Sequence, residues 1–223
     1  MEDLLAQACR RLHFSNHLVT QAKKIKAKNH LDFLLQLFNE ELEERDRKRR
    51  NAYQKAAKFD LIKTFEDYTF DDIKFPPALS PDDILNTAFI PKRENLILYG
   101  NVGAGKTHLA TALGVAACDL GYRTRFWRTA ALVNALIEAK RQGVLSKFMK
   151  QFDKLDLLIC DSGGMSRLIL MAQSCFSGLF RNVMNENHSL SQPTWNLPVG
   201  MTSSPTQKSP PHCLTVSFIT RTS

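Results

Sequence analysis

The sequence predicts an α/β fold built on a parallel sheet, and three observations carry that reading. Short apolar runs alternate with helical segments after residue 94. A glycine-rich loop, Gly100-Asn101-Val102-Gly103-Ala104-Gly105, joins the first of those runs to the first helix. A later apolar run, Leu157 to Cys160, ends in a single acidic residue, Asp161. The 223 residues suffice for one such domain with a small appendage, and 43% hydrophobic against 23% charged residues is not the composition of a disordered chain.

Residues 1–60 read as a helical N-terminal region. Leu31, Leu34, Leu35, Phe38 and Leu42 recur at helical spacing and form one apolar stripe. Beyond it the chain becomes charge-dense, from Glu40 through Arg50. Such a run suits a solvated helix whose mixed charges pair at i,i+4. The stretch Arg45 to Lys58 also suits a cationic face for phosphates, and one helix can do both. Thirty Lys and Arg against 22 Asp and Glu give a formal charge of +8, which favours polyanionic partners.

Residues 61–93 form a connecting segment. Phe75-Pro76-Pro77 cannot lie inside a helix or a central strand. Ser80-Pro81-Asp82-Asp83 is a helix start, with Ser80 as N-cap, and the helix is expected to run to about Phe89.

Residues 94–161 carry the core. Asn95 to Tyr99 reads as a strand, and Lys106 to Leu120 as a helix closed by Gly121. Arg123 to Trp127 is the second strand, with Trp127 placed in the core, and Ala130 to Lys140 is a helix ended by Gly143. A short helix over Lys147 to Phe152 precedes the third strand, Leu155 to Asp161, which is apolar enough to be buried on both faces. Residues 162–223 differ in character, holding eleven serines, five prolines and one acidic residue, Glu186. They read as an irregular, poorly structured tail.

Gly100 to Thr107 fits the pattern GxxxxGK[ST] in its required setting, after a strand and at the opening of a helix. Glycines let the backbone curl so that Gly100, Asn101, Val102, Gly103, Ala104 and Gly105 turn N–H groups toward phosphate oxygens. The helix N-terminus adds partial positive charge. Lys106 is expected to reach the β- and γ-phosphates of ATP, and the Thr107 hydroxyl and the Asp161 carboxylate to hold Mg²⁺. His108, in the next turn, is counted with the nucleotide-binding residues, although its position also suits packing. The six histidines and five cysteines show no metal-ligand spacing, and Cys9, Cys118, Cys160, Cys175 and Cys213 read as reduced intracellular thiols. No apolar run is long enough to span a membrane, and the N-terminus lacks a secretory core, so a cytoplasmic location is expected.

From about residue 30 to Asp161 the chain resembles the IstB/DnaC-like family, the AAA+ ATP-binding helpers of insertion-sequence transposition. The likeness rests on NLILYGNVGAGKTHLATALGVAACDLGYRTRF, KLDLLICD and the helical FLLQLFNEELEERDRKRRNAYQKAAKF. It implies an AAA+-like P-loop NTPase that binds ATP and Mg²⁺, associates with DNA, forms homo-oligomers and serves the transposase of the same element. The related helicase loaders of replication share this core, and that role is the alternative.

In such proteins an apolar strand ending in Asp, here Leu157 to Asp161, is the Walker B motif, and a glutamate directly follows its aspartate. Here Ser162 stands in that place. Serine is a poor general base, so the resemblance implies nucleotide binding for this chain without implying hydrolysis, and no catalytic residue is assigned. The likeness in those motifs stops at Asp161, and a shifted reading frame accounts for it. Taking the third base of each codon with the first two of the next permits WGYVPFDTNGAELFFRF and onward, the family's continuation. Met171-Ala172 then forces glycine, while Met184-Asn185 and Trp195-Asn196 each force glutamate, all where the family has them. A one-base deletion near codon 162 is therefore expected, leaving a three-stranded, incomplete sheet with an exposed edge. An inactive product with residual nucleotide binding is the reading from a different functional class.

Overall fold

The structure, a computed structural model, describes residues 2–15, 17–66, 68–71, 73–75, 80–162, 167–172 and 214–219. It divides into two compact units, Met1–Tyr53 and Gln54–Ser223.

The first unit is helical. Helix α1 (Glu2–Arg11) has acids in its first turn and arginines in its last, each complementing the helix dipole. A short α2 (Leu18–Ala22) follows, then α3 (His30–Ala57), whose last residues fall in the second unit. A buried carboxylate fastens this unit: Glu41, 4% exposed, accepts from the Ser15 N–H at 2.9 Å, the Ser15 hydroxyl at 2.5 Å and the Arg45 guanidinium at 2.8 Å. The stripe expected from Leu31, Leu34, Leu35, Phe38 and Leu42 does lie on α3, yet all five are exposed, Leu31 the most at 78%. The charge run behaves as a self-paired helix face: Arg45 pairs with Glu41, Lys48 and Arg47 with Glu44, and Arg49 with Asp46.

In the second unit β1 (Ile73–Lys74) leads to α4 (Pro81–Leu85). Ser80 caps α4 in a reciprocal box with Asp83. The helix stops at Leu85 and does not reach Phe89, because Thr87 takes a left-handed φ of 50° that turns Phe89 and Ile90 into the core. Then come β2 (Asn95–Tyr99), α5 (Lys106–Asp119), β3 (Thr124–Arg128), α6 (Thr129–Arg141), α7 (Leu145–Met149) and β4 (Leu157–Asp161). Two strands from the tail complete the sheet, β5 (Arg167–Ala172) and β6 (Leu214–Ile219).

The strand order is β1-β6-β2-β5-β4-β3. β5 runs antiparallel to both β2 and β4, and β4 is parallel to β3, so the three strands read from the sequence all point the same way. Their C-terminal residues, Tyr99, Arg128 and Asp161, therefore share one edge of the sheet. Side chains alternate across it as strand geometry requires. Leu96, Leu98, Leu157, Ile159, Leu168 and Leu170 pack on the α5 face, and Leu158, Cys160 and Met171 on the face covered by α6 and α7. The connecting segment joins the first of these layers through Phe59, Phe65, Tyr68, Phe70 and Phe75. Trp127 is partly buried against the second layer.

Two expectations are corrected here. The tail is not structureless throughout, and the sheet has more than three strands, although β3 remains an outer strand paired on one side. Arg167–Ala172 fills the slot between β2 and β4, with Leu168, Leu170 and Ala172 at most 1% exposed. The link from β4 to β5 is only residues 162–166, too short for a parallel crossover of a dozen residues, so the strand enters reversed. The rest of the tail, including Met184-Asn185 and Trp195-Asn196, lies outside the described residues, as do Cys175 and Cys213. Cys9, Cys118 and Cys160 are free and buried. Among the described residues no helix is long and apolar enough to cross a membrane.

Candidate functional site

The loop after β2 folds as its glycines dictate. Gly103 and Gly105 take φ of +86° and +80°, a region that side-chain-bearing residues rarely occupy, and the space beside Gly103 is open. The Ala104 N–H donates to the Asn101 carbonyl at 3.2 Å, closing the turn, and the Leu109 N–H bonds to the Gly105 carbonyl at 2.9 Å, opening α5. Gly105 is thus the N-cap of a fourteen-residue helix aimed at the loop. Ten of those fourteen residues are buried, which fixes the helix against the sheet and the loop with it.

Lys106 is 8% exposed, and its ammonium donates to the carbonyls of Gly100 and Asn101, both at 2.7 Å. Burial lowers its hold on the proton, and the charge of Asp161 opposes that shift. Thr107, one residue on, donates its hydroxyl to Asp161 Oδ2 at 3.0 Å across 54 positions of sequence. The residues read as a phosphate and cation site from two separate motifs are therefore in contact. Val102, at the tip of the loop, is 77% exposed.

The donor set fits Mg²⁺. A hydroxyl and a carboxylate oxygen meet at one point beside the loop, and hard cations take oxygen ligands. No cluster of three or more His, Cys, Asp or Glu that could cage a metal occurs among the described residues.

His108 is half-buried beside the loop, with its ring packed against the Thr64–Tyr68 segment. Its Nε2 lies 3.2 Å from the Thr64 carbonyl, and its ring centroid 5.1 Å from that of Tyr68. Tyr68 covers the back of the loop: a Cβ on Gly105 would lie 3.4 Å from Tyr68 Cε2 and Oη. Burial pushes the Tyr68 hydroxyl up to about 12, so it stays protonated. Tyr68 was not singled out by the motifs; the aromatic-rich Thr64-Phe65-Glu66-Asp67-Tyr68-Thr69-Phe70 was the only signal for it. Arg128 was missed as well. It stands in direct register with Asp161 on the neighbouring strand and grips Asp60 through Nε at 3.0 Å and Nη2 at 2.8 Å.

Comparison with known proteins gives the chain a family. The family of IstB-like ATP-binding proteins matches residues 8–189, further in both directions than the motif-based likeness from about 30 to 161. The chain is 34% identical over 158 residues to the ATP-binding protein of insertion sequence IS21 from Pseudomonas aeruginosa, covering 68% of this chain and 58% of that one. It is 30% identical over 173 residues to the ATP-binding protein of insertion sequence IS5376 from Geobacillus stearothermophilus, covering 75% and 69% respectively. A shorter match, 35% over 66 residues, links 30% of the chain to 16% of the chromosomal replication initiator DnaA of Aquifex aeolicus. The match runs through most of the chain, and the chain belongs to the IstB-like ATP-binding protein family.

Proposed function

We propose that this chain binds Mg·ATP at the loop Gly100–Thr107 and acts as a DNA-associated accessory of insertion-sequence transposition, serving the transposase of its own element. The relatives are ATP-binding proteins of insertion sequences, which supports the coarse role. The observation that carries the nucleotide site is the contact of Thr107 with Asp161 beside a buried, loop-bound Lys106. Bound Mg²⁺ supplies charge neutralisation for the phosphates. The chain's own groups do the rest. Lys106 exchanges its loop carbonyls for phosphate oxygens, the loop N–H groups hold the phosphates in place, and Thr107 and Asp161 fix the cation.

Turnover is a separate matter. Ser162 follows Asp161, and serine does not take a proton from water near neutral pH, so binding without efficient hydrolysis is the reading for this chain. DNA contact is assigned to the stretch Arg45 to Lys58, helical through Ala57, where same-helix acids pair Arg45, Arg47, Lys48 and Arg49. The DnaA match spans 66 residues only, which favours transposition over replication.

Three experiments test this. Titration of the full chain with a fluorescent ATP analogue tests the site, and a salt series of DNA binding by anisotropy tests the polyanion role. Co-purification with the element's transposase, set against a replicative helicase, decides the partner.

A further inference from the structure

Arg128 ends β3, and Asp161 ends β4, as direct partners in a parallel ladder. They share a face. Phe126, two residues before Arg128, and Ile159, two before Asp161, pack in the same α5-side core cluster. Thr107 of α5 reaches Asp161 from that side. The two backbones thus stand one strand spacing, about 4.8 Å, apart at these residues, and both side chains rise from the same face. It is held by a second carboxylate, Asp60, which follows α3.

That second grip is an exposed one. Arg128 is 68% and Asp60 52% exposed, and an ion pair in water contributes little because solvent screens it and both side chains lose freedom. A polyphosphate is a stronger competitor, since it offers several oxygens and more charge to the planar guanidinium. Both carboxylates raise the proton affinity of Arg128, Asp60 most strongly and Asp161 in addition. Arg128 is therefore bonded to the segment after α3 and lies in register with the strand end that carries Asp161.

We infer that Arg128 is a further phosphate-binding residue of this site, released from Asp60 to the terminal phosphate when nucleotide binds. The inference rests on the P-loop reading above. It also carries a consequence. Because the two grips compete, nucleotide binding loosens the Asp60 tether, and by linkage loss of the tether strengthens nucleotide binding. The neighbouring Arg125 differs in this respect. It bonds the Ala56 carbonyl at 2.6 Å and lies over the Trp127 ring, facing the other layer.

The test is the sign of two substitutions. Full-length wild type, Asp60→Asn, Arg128→Ala, Arg128→Lys and Lys106→Ala are titrated with mant-ATP and mant-ADP in Mg²⁺, with circular dichroism to establish that each is folded. Arg128→Ala is expected to weaken mant-ATP binding about tenfold and mant-ADP binding less. Asp60→Asn is expected to tighten mant-ATP binding about two- to fivefold. Arg128→Lys, which keeps the charge without the bidentate fork, falls between wild type and Arg128→Ala. If Asp60→Asn and Arg128→Ala shift affinity in the same direction, or neither shifts it, Arg128 is only a tether and the inference is overturned. Wild type that binds no nucleotide, or Lys106→Ala that binds as well as wild type, overturns the P-loop reading and this inference with it.

Discussion

The hydroxyl of Thr107 and the carboxylate of Asp161 meet at 3.0 Å, although 54 residues separate them in the chain. A strong signal, the glycine-rich loop, and a common one, the strand ending in Asp, are joined by this contact. An apolar strand ending in Asp is common, and a glycine-rich turn alone names no cation. Together, where α5 opens and β4 ends, they bring two oxygens of the kind a hard cation takes to one point.

Asp161→Asn removes the anionic half of that pair while keeping its shape. Nucleotide affinity measured in Mg²⁺ should fall about tenfold, which is about 1.4 kcal/mol. Affinity measured in EDTA should change little. Isothermal titration under both conditions checks this, and equal losses in both would show that Asp161 acts on the fold and not through the cation.

Gly114 sits where α5 crosses the sheet. A Cβ there would lie 2.7 Å from both Ile159 Cδ1 and Phe59 Cε1, closer than carbon atoms pack. Replacing a mid-helix glycine by alanine gains about 0.5–1 kcal/mol of helix propensity. Overpacking costs about 1–3 kcal/mol, so the cost wins. Gly114→Ala should lower Tm by several degrees in differential scanning fluorimetry. An unchanged or raised Tm would mean that Phe59 yields freely.

Glu41 makes the helical unit sensitive to acid. Burial pushes its carboxyl up, but the Ser15 hydroxyl, the Arg45 guanidinium and the Ser15 N–H more than offset that, and the net position is below the ordinary 4.5. The folded form then binds its proton less readily than the unfolded form. Its stabilisation is complete above pH 4.5 and is lost as pH falls through the lowered value. Glu41→Gln leaves the Ser15 donors poorly satisfied and should cost about 1–3 kcal/mol. Hydrogen exchange of peptides covering residues 9–22 and 37–45 reads both effects. Equal protection in wild type and Glu41→Gln at pH 7 would contradict the clasp.

Coding DNA read one base out of register from codon 162 should give the family's continuation, WGYVPFDTNGAELFFRF. Sequencing across codons 150–223 decides it. A string that cannot be read in any frame would make the tail a segment in its own right. The family match to residue 189 already extends beyond Asp161, so the tail is not wholly outside the likeness.

Much of the second unit was legible because its signals are local. Asn95–Tyr99, Lys106–Asp119, Thr124–Arg128 and Leu157–Asp161 are each short, apolar-rich runs, three of them closed by a nearby glycine or an acid, Gly100, Gly121 and Asp161. The loop was legible because φ near +80° at Gly103 and Gly105 demands glycine. What escaped was tertiary. Arg167–Ala172 is a clear apolar run, RLILMA, obscured by reading the serine- and proline-rich tail as a whole. Neither Arg128 nor Asp60 carries a local mark, since their pairing depends on how β3 is set beside the end of α3. The α3 stripe had the right period, and period alone does not say whether a face is covered.

The central claim is that Gly100–Thr107 binds ATP through Lys106. Its most direct test is a titration of the purified full chain with mant-ATP in Mg²⁺, wild type beside Lys106→Ala. The account predicts saturable binding by wild type, weakened at least tenfold, or about 1.4 kcal/mol, when the ammonium is removed. No saturable binding by folded wild type, or equal binding by the two proteins, would contradict it.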